Sequence, residues 1–261
     1  MSALERRSAA LVLLALSVFS PSASSAAASP AIYPSGTTVP ENLLRVELRF
    51  PQALRRPLRP EDVRLLDSAG RQIADAFLDL PLPSADGKRV TLLLHPGRVK
   101  TGVGPNVRVG RALESGATVR LEVVDPGSAR RVSRSWQVTA FEAGGPAPSR
   151  WTLEIPQAGS RVPLIAHLNH AISSTAESLI AIRGPDGRRV SGVAALADGE
   201  TTWRFRPAQR WGVGSFALMI HPDLEDLGGN RACARFEQPP STPVNCEEGT
   251  TTPFRIRLSA P

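Results

Sequence analysis

The chain has 261 residues, enough for one large domain or two of ordinary size. Its 31 basic residues outnumber 24 acidic ones for a net charge of +7, yet they are spread along the chain. They do not gather on a helix or beside stacking aromatics, which argues against a nucleic-acid partner, and a modest distributed excess favours solubility and weak contact with anionic surfaces.

In chain order, the N-terminus reads as a secretory leader. Arg6 and Arg7 precede an apolar run, Ala9 to Phe19, and Ala26-Ala27-Ala28 offers a small-residue cleavage site. Residues 1–28 are therefore expected to be removed and the mature chain, periplasmic or extracellular, to begin near Ser29. No later run approaches about 18 apolar residues, so no transmembrane segment is expected in the mature chain.

Beyond the leader, Leu44 to Phe50 alternates apolar and polar residues with period two, as a half-buried strand does. So do Arg89 to Leu94, Thr118 to Val124 and Ser135 to Phe141. With 24 prolines and 21 glycines, long amphipathic helices find no room, and Pro60-Glu61-Asp62 opens a single helical turn at most. The expected fold class is all-β.

The pattern then recurs. Gly36, Val39 and Pro40 align with Gly159, Val162 and Pro163; the hairpin Leu65 to Ile73 aligns with Ile182 to Val190, each with a glycine at its tip, Gly70 and Gly187. Glu142 to Arg150, EAGGPAPSR, is a linker by composition. The reading is a first domain at 32–142, a linker at 143–150 and a second domain at 151–259. Each has the size and strand spacing of an immunoglobulin-like (Ig-like) sandwich, although neither carries the antibody disulfide or the central tryptophan. Cys233 and Cys246, 13 residues apart in a loop-like segment, are expected to form one disulfide in an exported protein.

The opening P-x-x-G-x-x-V-P, the strand ending F-x-x-A, the D-x-x-G-R hairpin and LEDLGGN (Leu224 to Asn230) together resemble bacterial Ig-like domains of the surface-layer-protein type. HPGRVK, GPN and W-G-x-G (Trp211 to Gly214) are similar to those of a group of exported bacterial proteins. The resemblance implies two tandem Ig-like domains and an exported address, and no known activity.

Candidate sites follow from the same alignment. Between the copies the offset of aligned positions falls from 111 (Pro96 to Pro207) to 98 (Gly116 to Gly214), so the first domain carries about thirteen extra residues there. That stretch, HPGRVKTGVGPNVRVG, has no acid. A phosphate loop would need a helix after Lys100-Thr101, and none is expected. Its cations Arg98, Lys100, Arg108 and Arg111 are the candidate binding residues, read as solvated or paired on a surface crossover. In LEDLGGN, Asp226, Gly228, Gly229 and Asn230 are read as a structural turn: Asp226 caps backbone N–H groups, both glycines take positive φ and Asn230 tolerates it. The loop has too few fixed oxygens for calcium.

His167 and His170 stand three apart on an expected strand and would face opposite sides. Copper carriers of the periplasm share the expected fold, but this mature start lacks an N-terminal histidine. No metal and no cofactor are expected. No nucleophile elbow of the G-x-S-x-G kind occurs. Trp203 and Phe205 read as core, Trp211 as a cap over a strand end, and Trp136 and Trp151 as an interdomain contact. The expected function is a non-catalytic structural or interaction module of the cell envelope. The alternative is a ligand-binding module that takes an anionic polymer, a carbohydrate or a protein on the basic loop.

Overall fold

The computed structural model describes residues 29–100, 102, 104–141, 143–237, 246 and 248–258; the expected leader lies outside them. The first half holds β1 (Ala31–Tyr33), β2 (Thr38–Pro40), β3 (Arg45–Arg49), β4 (Val63–Leu66), β5 (Leu82–Pro83), β6 (Arg89–Leu93), β7 (Thr118–Val124) and β8 (Arg131–Thr139). The second holds β9 (Thr152–Glu154), β10 (Leu164–His167), β11 (Ile180–Arg183), β12 (Gly192–Ala197), β13 (Thr202–Pro207), β14 (Gly214–Ile220) and β15 (Thr250–Ile256). Two short helices, α1 (Pro96–Val99) and α2 (Gly104–Val109), lie between β6 and β7.

The chain is all-β, and the alternation read from the sequence explains its strands. In β7, Val119, Leu121 and Val123 are buried while Thr118 and Arg120 face outward, the period-two division of a half-buried strand. In β13, Trp203 and Phe205 point inward and Arg204 and Arg206 outward.

Strand order shows the repeat. The first half pairs β1-β3-β6-β5 in one sheet and β2-β8-β7-β4 in the other. The second pairs β9-β10-β13-β12 and β11-β14-β15. Matched along the chain, the first sheets are the same four strands in the same order. The second sheets differ by β2, which runs parallel to β8. In the second half its place is held by a turn, where the Ala158 N–H donates to the Arg257 carbonyl at 3.0 Å. Four strands over three, with these neighbours, is the plan of an immunoglobulin sandwich. The hairpin tips Gly70 and Gly187 take φ of 77° and 78°.

Each sandwich has its own core. Leu48, Val90, Leu121 and Trp136 lie in the first, and Leu164, Ile182, Trp203 and Leu218 in the second. In the second an aromatic file runs from Trp203 through Phe205, Trp211 and Phe216 to Phe254, with ring centroids 5.7 to 6.1 Å apart. The Trp211 indole N–H donates to the Val162 carbonyl at 2.8 Å, closing the end of the sandwich.

One expectation about tryptophan needs correction. Trp136 and Trp151 do not meet between the domains. Trp136 belongs to the first core and donates to the Pro34 carbonyl at 3.1 Å; Trp151 belongs to the second and donates to Asn169 Oδ1 at 2.9 Å. A large apolar ring with one polar N–H is best placed where a core meets a loop carbonyl. Each core also has a deeply buried tryptophan, Trp136 on β8 and Trp203 on β13, though not on β4 or β11, where antibody domains would carry it.

Candidate functional site

The basic segment of the first domain is not a solvated crossover throughout. Its residues form α1 and α2, so the expectation that no helix follows Lys100 is corrected. Neither helix has the length for a phosphate-binding terminus. Val99, Ala112 and Leu113 join the first core, which pulls the segment onto the sandwich.

Arg98 is the largest departure from expectation. It is 7% exposed, and its guanidinium donates to the carbonyls of Gly110 (2.8 Å), Arg111 (3.2 Å) and Ala74. With five N–H donors in a planar fork, it closes the loop between α2 and β7 on itself and ties it to the segment after β4. The reason is chemical. A glycine- and proline-rich connection pressed against a core leaves carbonyls without a ladder, and buried carbonyls need donors.

The other three cations disperse. Lys100 is exposed, its ammonium 5.1 Å from the centre of the Phe236 ring. Arg111 reaches Glu41 at 3.6 Å and lies over Phe141. Arg108 is exposed and lines a groove of about 420 Å³ with His95, Asp75 and Asp79. This groove adjoins a second of about 290 Å³ through Asp75, Phe77, Leu78 and Asp79. Its walls mix carboxylates with Arg108, so the groove is not a basic cradle.

LEDLGGN lies between the two cores. Asp226, 1% exposed, accepts from the N–H groups of Gly228 and Asn230 through Oδ1, each at 2.8 Å. Its Oδ2 accepts from the Asn230 amide at 2.9 Å. Asn230 Oδ1 in turn accepts from the Phe236 N–H at 3.1 Å. Only Gly229 takes a positive φ, 77°; Gly228 is in ordinary conformation, which corrects that detail. What Gly228 supplies is absence: a Cβ there would run into the buried side chain of Asn42.

The loop thus presses against the first domain. Leu224 lies in the second core and Leu227 in the first. The Leu44 N–H donates to the Leu227 carbonyl at 3.1 Å, and Ala171 and Phe236 pack on the first core beside it. A few residues away Arg45 pairs with Glu225, and Arg49 donates to the Ser174 carbonyl at 3.0 Å.

A second contact completes the junction. Glu200, 1% exposed and with φ of 63°, accepts from the Ser35 N–H at 2.9 and 3.0 Å and from its hydroxyl at 2.5 Å. Burial raises its pKa above the usual carboxylate range, while the hydrogen bonds from Ser35 and the charges of Arg134 and Arg49 draw it back. Beside it Gly199 lies so close to Gly36 that a Cβ at Gly199 would run into the Gly36 backbone.

The linker is held as well. Gly145 lies against the Arg231 carbonyl, Pro148 is buried, and the Ala147 N–H donates to Asn169 Oδ1 at 2.9 Å. Cys233 and Cys246, with Cα atoms 5.5 Å apart, form a disulfide.

No known protein family matches the chain, and no curated protein does. Among solved structures the chain is similar to a chimeric titin Z1Z2 functionalized with a KLER exogenous peptide from decorin. The identity is 10% and the TM-score 0.29, over 89% of this chain and 97% of that one. Titin domains Z1Z2 in complex with telethonin follow at 11% identity and a TM-score of 0.25, over 88% and 96%. Titin Ig tandem domains stand at 12% and 0.24, over 88% and 96%. At such TM-scores these likenesses add nothing to the fold, which follows from the strand orders given above.

The histidines serve local ends. His95 Nδ1 accepts from the Gly97 N–H at 3.0 Å and caps α1; His167 lies 2.6 Å from Glu154; His221 accepts from the Asp223 N–H at 3.2 Å. His167 ends β10 and His170 lies beyond it, so the two do not share a strand. Among the described residues no three His, Cys, Asp or Glu side chains are grouped to hold a metal, and no helix is long and apolar enough to cross a membrane.

Sequence reasoning missed the junction. One signal was present: LEDLGGN carries two leucines three apart inside a turn, and apolar residues in a turn need somewhere to be buried. The Ser35–Glu200 contact joins residues 165 positions apart and had no local signature.

Proposed function

We propose that the chain is an exported, non-catalytic protein of bacterial Ig-like domains of the surface-layer-protein type. Its domains at 32–142 and 151–259, joined through 143–150, act as one stiff structural or interaction module of the cell envelope. The observation that carries this reading is the placement of LEDLGGN, with Leu224 in one core and Leu227 in the other. A protein whose work is to hold a spacing or present a surface needs its domains fixed, and a shared apolar contact resists the hinge motion that is otherwise the rule between domains. The disulfide supports an oxidising compartment.

Fractionation of the producing cell, followed by cross-linking and N-terminal sequencing, tests the proposal. The protein is expected outside the cytoplasm, starting near Ser29, and cross-linked to an envelope protein or polymer. An intact Met1 terminus in the cytoplasmic fraction would refute it. The exposed Lys100 and Arg108 support a second reading, capture of an anionic polymer on the basic loop of the first domain. It predicts binding that weakens with salt and with Arg108→Ser.

A further inference from the structure

The two domains place the same strand at the same sheet edge and treat it differently. In the first domain that strand is β5, two residues long, with Pro83 in it and Pro81 before it. A short edge studded with proline cannot extend its ladder, which is how natural sheets close an edge. In the second domain the counterpart is β12, six residues reading GVAALA, with no charge and no proline. Its Val193 is 71% exposed.

The hydrogen-bonding set of this edge can be worked out. The Ser191 carbonyl accepts from the Ala208 N–H at 2.9 Å, and bonded pairs alternate along an antiparallel ladder. With Val193 opposite Arg206 and Ala195 opposite Arg204, the residues Val193, Ala195 and Ala197 bond inward to β13. Gly192, Ala194 and Leu196 turn their N–H and C=O groups outward. The pairing of Gly192 with Pro207, which has no N–H to give, agrees with this assignment.

Charge stands at both ends of the strand. Arg188 and Arg189, both exposed, precede it, and Asp198, its side chain 58% exposed, follows it. Asp198 also pairs with Arg204 of its own chain at 3.0 Å. A second copy laid antiparallel brings the acidic end of each strand beside the basic end of the other, whereas a parallel one would oppose like charges.

We propose that β12 is a self-association edge through which two copies of the chain pair antiparallel about a two-fold axis, continuing the sheet β9-β10-β13-β12 into its copy. The axis passes beside Ala194: each Ala194 pairs with its equivalent, and Gly192 pairs with Leu196 of the partner subunit. Val193 covers Ala195 of the partner subunit on the exposed face. The contact is isologous and closed, so it yields a dimer and not a fibre. It is small, at the size typical of weak, transient association. This inference concerns the outer edge of a sheet of the second domain and holds whether or not the envelope reading does.

Sedimentation of the exported chain with its disulfide intact, over rising concentration up to about 1 mM, tests it together with amide hydrogen exchange. The expected result is a concentration-dependent dimer that weakens with salt and in which the amides of Gly192, Ala194 and Leu196 gain protection. Ala194→Pro removes an outward donor only, and Ala195→Lys sets two cations close to the axis on the exposed face; both are expected to be monomeric with an unchanged circular dichroism spectrum. If Ala194→Pro fails to fold, Ala195→Lys still decides. A wild-type chain that stays monomeric throughout, a dimer that survives Ala195→Lys, or protection that appears elsewhere would each overturn the proposal.

Discussion

Arg98 organises the connection between β6 and β7, although its neighbours in sequence make it look like one cation among four. Replacing it with Ser leaves the carbonyls of Ala74, Gly110 and Arg111 without their donor. Leaving buried polar groups unpaired costs about 1–3 kcal/mol, so Arg98→Ser is expected to lower the unfolding free energy by that order. Lys100→Ser and Arg108→Ser, at exposed positions, are expected to change it by under about 0.5 kcal/mol; urea titration separates the two outcomes. Equal effects of all three would place Arg98 on the surface.

Glu200 makes the opposite kind of prediction, about pH. Its folded pKa is raised by burial, while a carboxylate in the unfolded chain titrates near about 4.3. Between those values the folded state holds a proton that the unfolded state has released, so this group's contribution is full below the unfolded pKa and is lost as pH rises through the folded one. Asp62, held low chiefly by its hydrogen bond from Arg56, acts the other way: its contribution is present above the unfolded value and lost as pH falls through the folded one. Glu200→Gln should therefore flatten the decline in stability above about pH 4 and leave the acid limb set by Asp62 in place. An unchanged slope above pH 4 would mean that Glu200 is not buried against Ser35.

At the scale of elements, most strands were legible because burial on one face leaves a period-two trace. β7 and β13 carry it in full, and the hairpins at Gly70 and Gly187 announce themselves by glycine in a tight turn. α1 and α2 left no such trace: at four and six residues they are too short for helical periodicity, and their glycines and prolines read as loop. They form because Val99, Ala112 and Leu113 are drawn into the core. LEDLGGN was legible as a turn and not as a junction, since Asn42 and Leu44, which shape it, lie far off in sequence.

The two roles of glycine separate experimentally. Gly70 and Gly229 share a φ of 77°. A Cβ at Gly70 meets nothing within 4 Å, whereas one at Gly229 runs into Leu44. Gly70→Ala should cost only the left-handed conformation, about 1–2 kcal/mol. Gly229→Ala adds overpacking, about 1–3 kcal/mol more. Thermal unfolding of the two variants side by side checks this, and equal losses would contradict the buried placement of the loop.

At the scale of the whole molecule, two Ig-like sandwiches with separate cores are joined by contacts of core quality. Leu227 enters the first core, the buried Glu200 bonds to Ser35, and the linker is pinned by Asn169. Tandem domains on a free linker unfold independently, whereas domains sharing a buried contact unfold together. Truncating Leu227 removes most of a buried side chain, a change that costs about 2–5 kcal/mol in cores. The most direct measurement is calorimetry of the chain and of its Leu227→Ala variant. A single cooperative transition is predicted for the wild type, and two resolved transitions for Leu227→Ala, with the first domain losing stability although the substitution lies in the second. Two independent transitions in the wild type, with Leu227→Ala moving only one of them, would contradict the union of the domains.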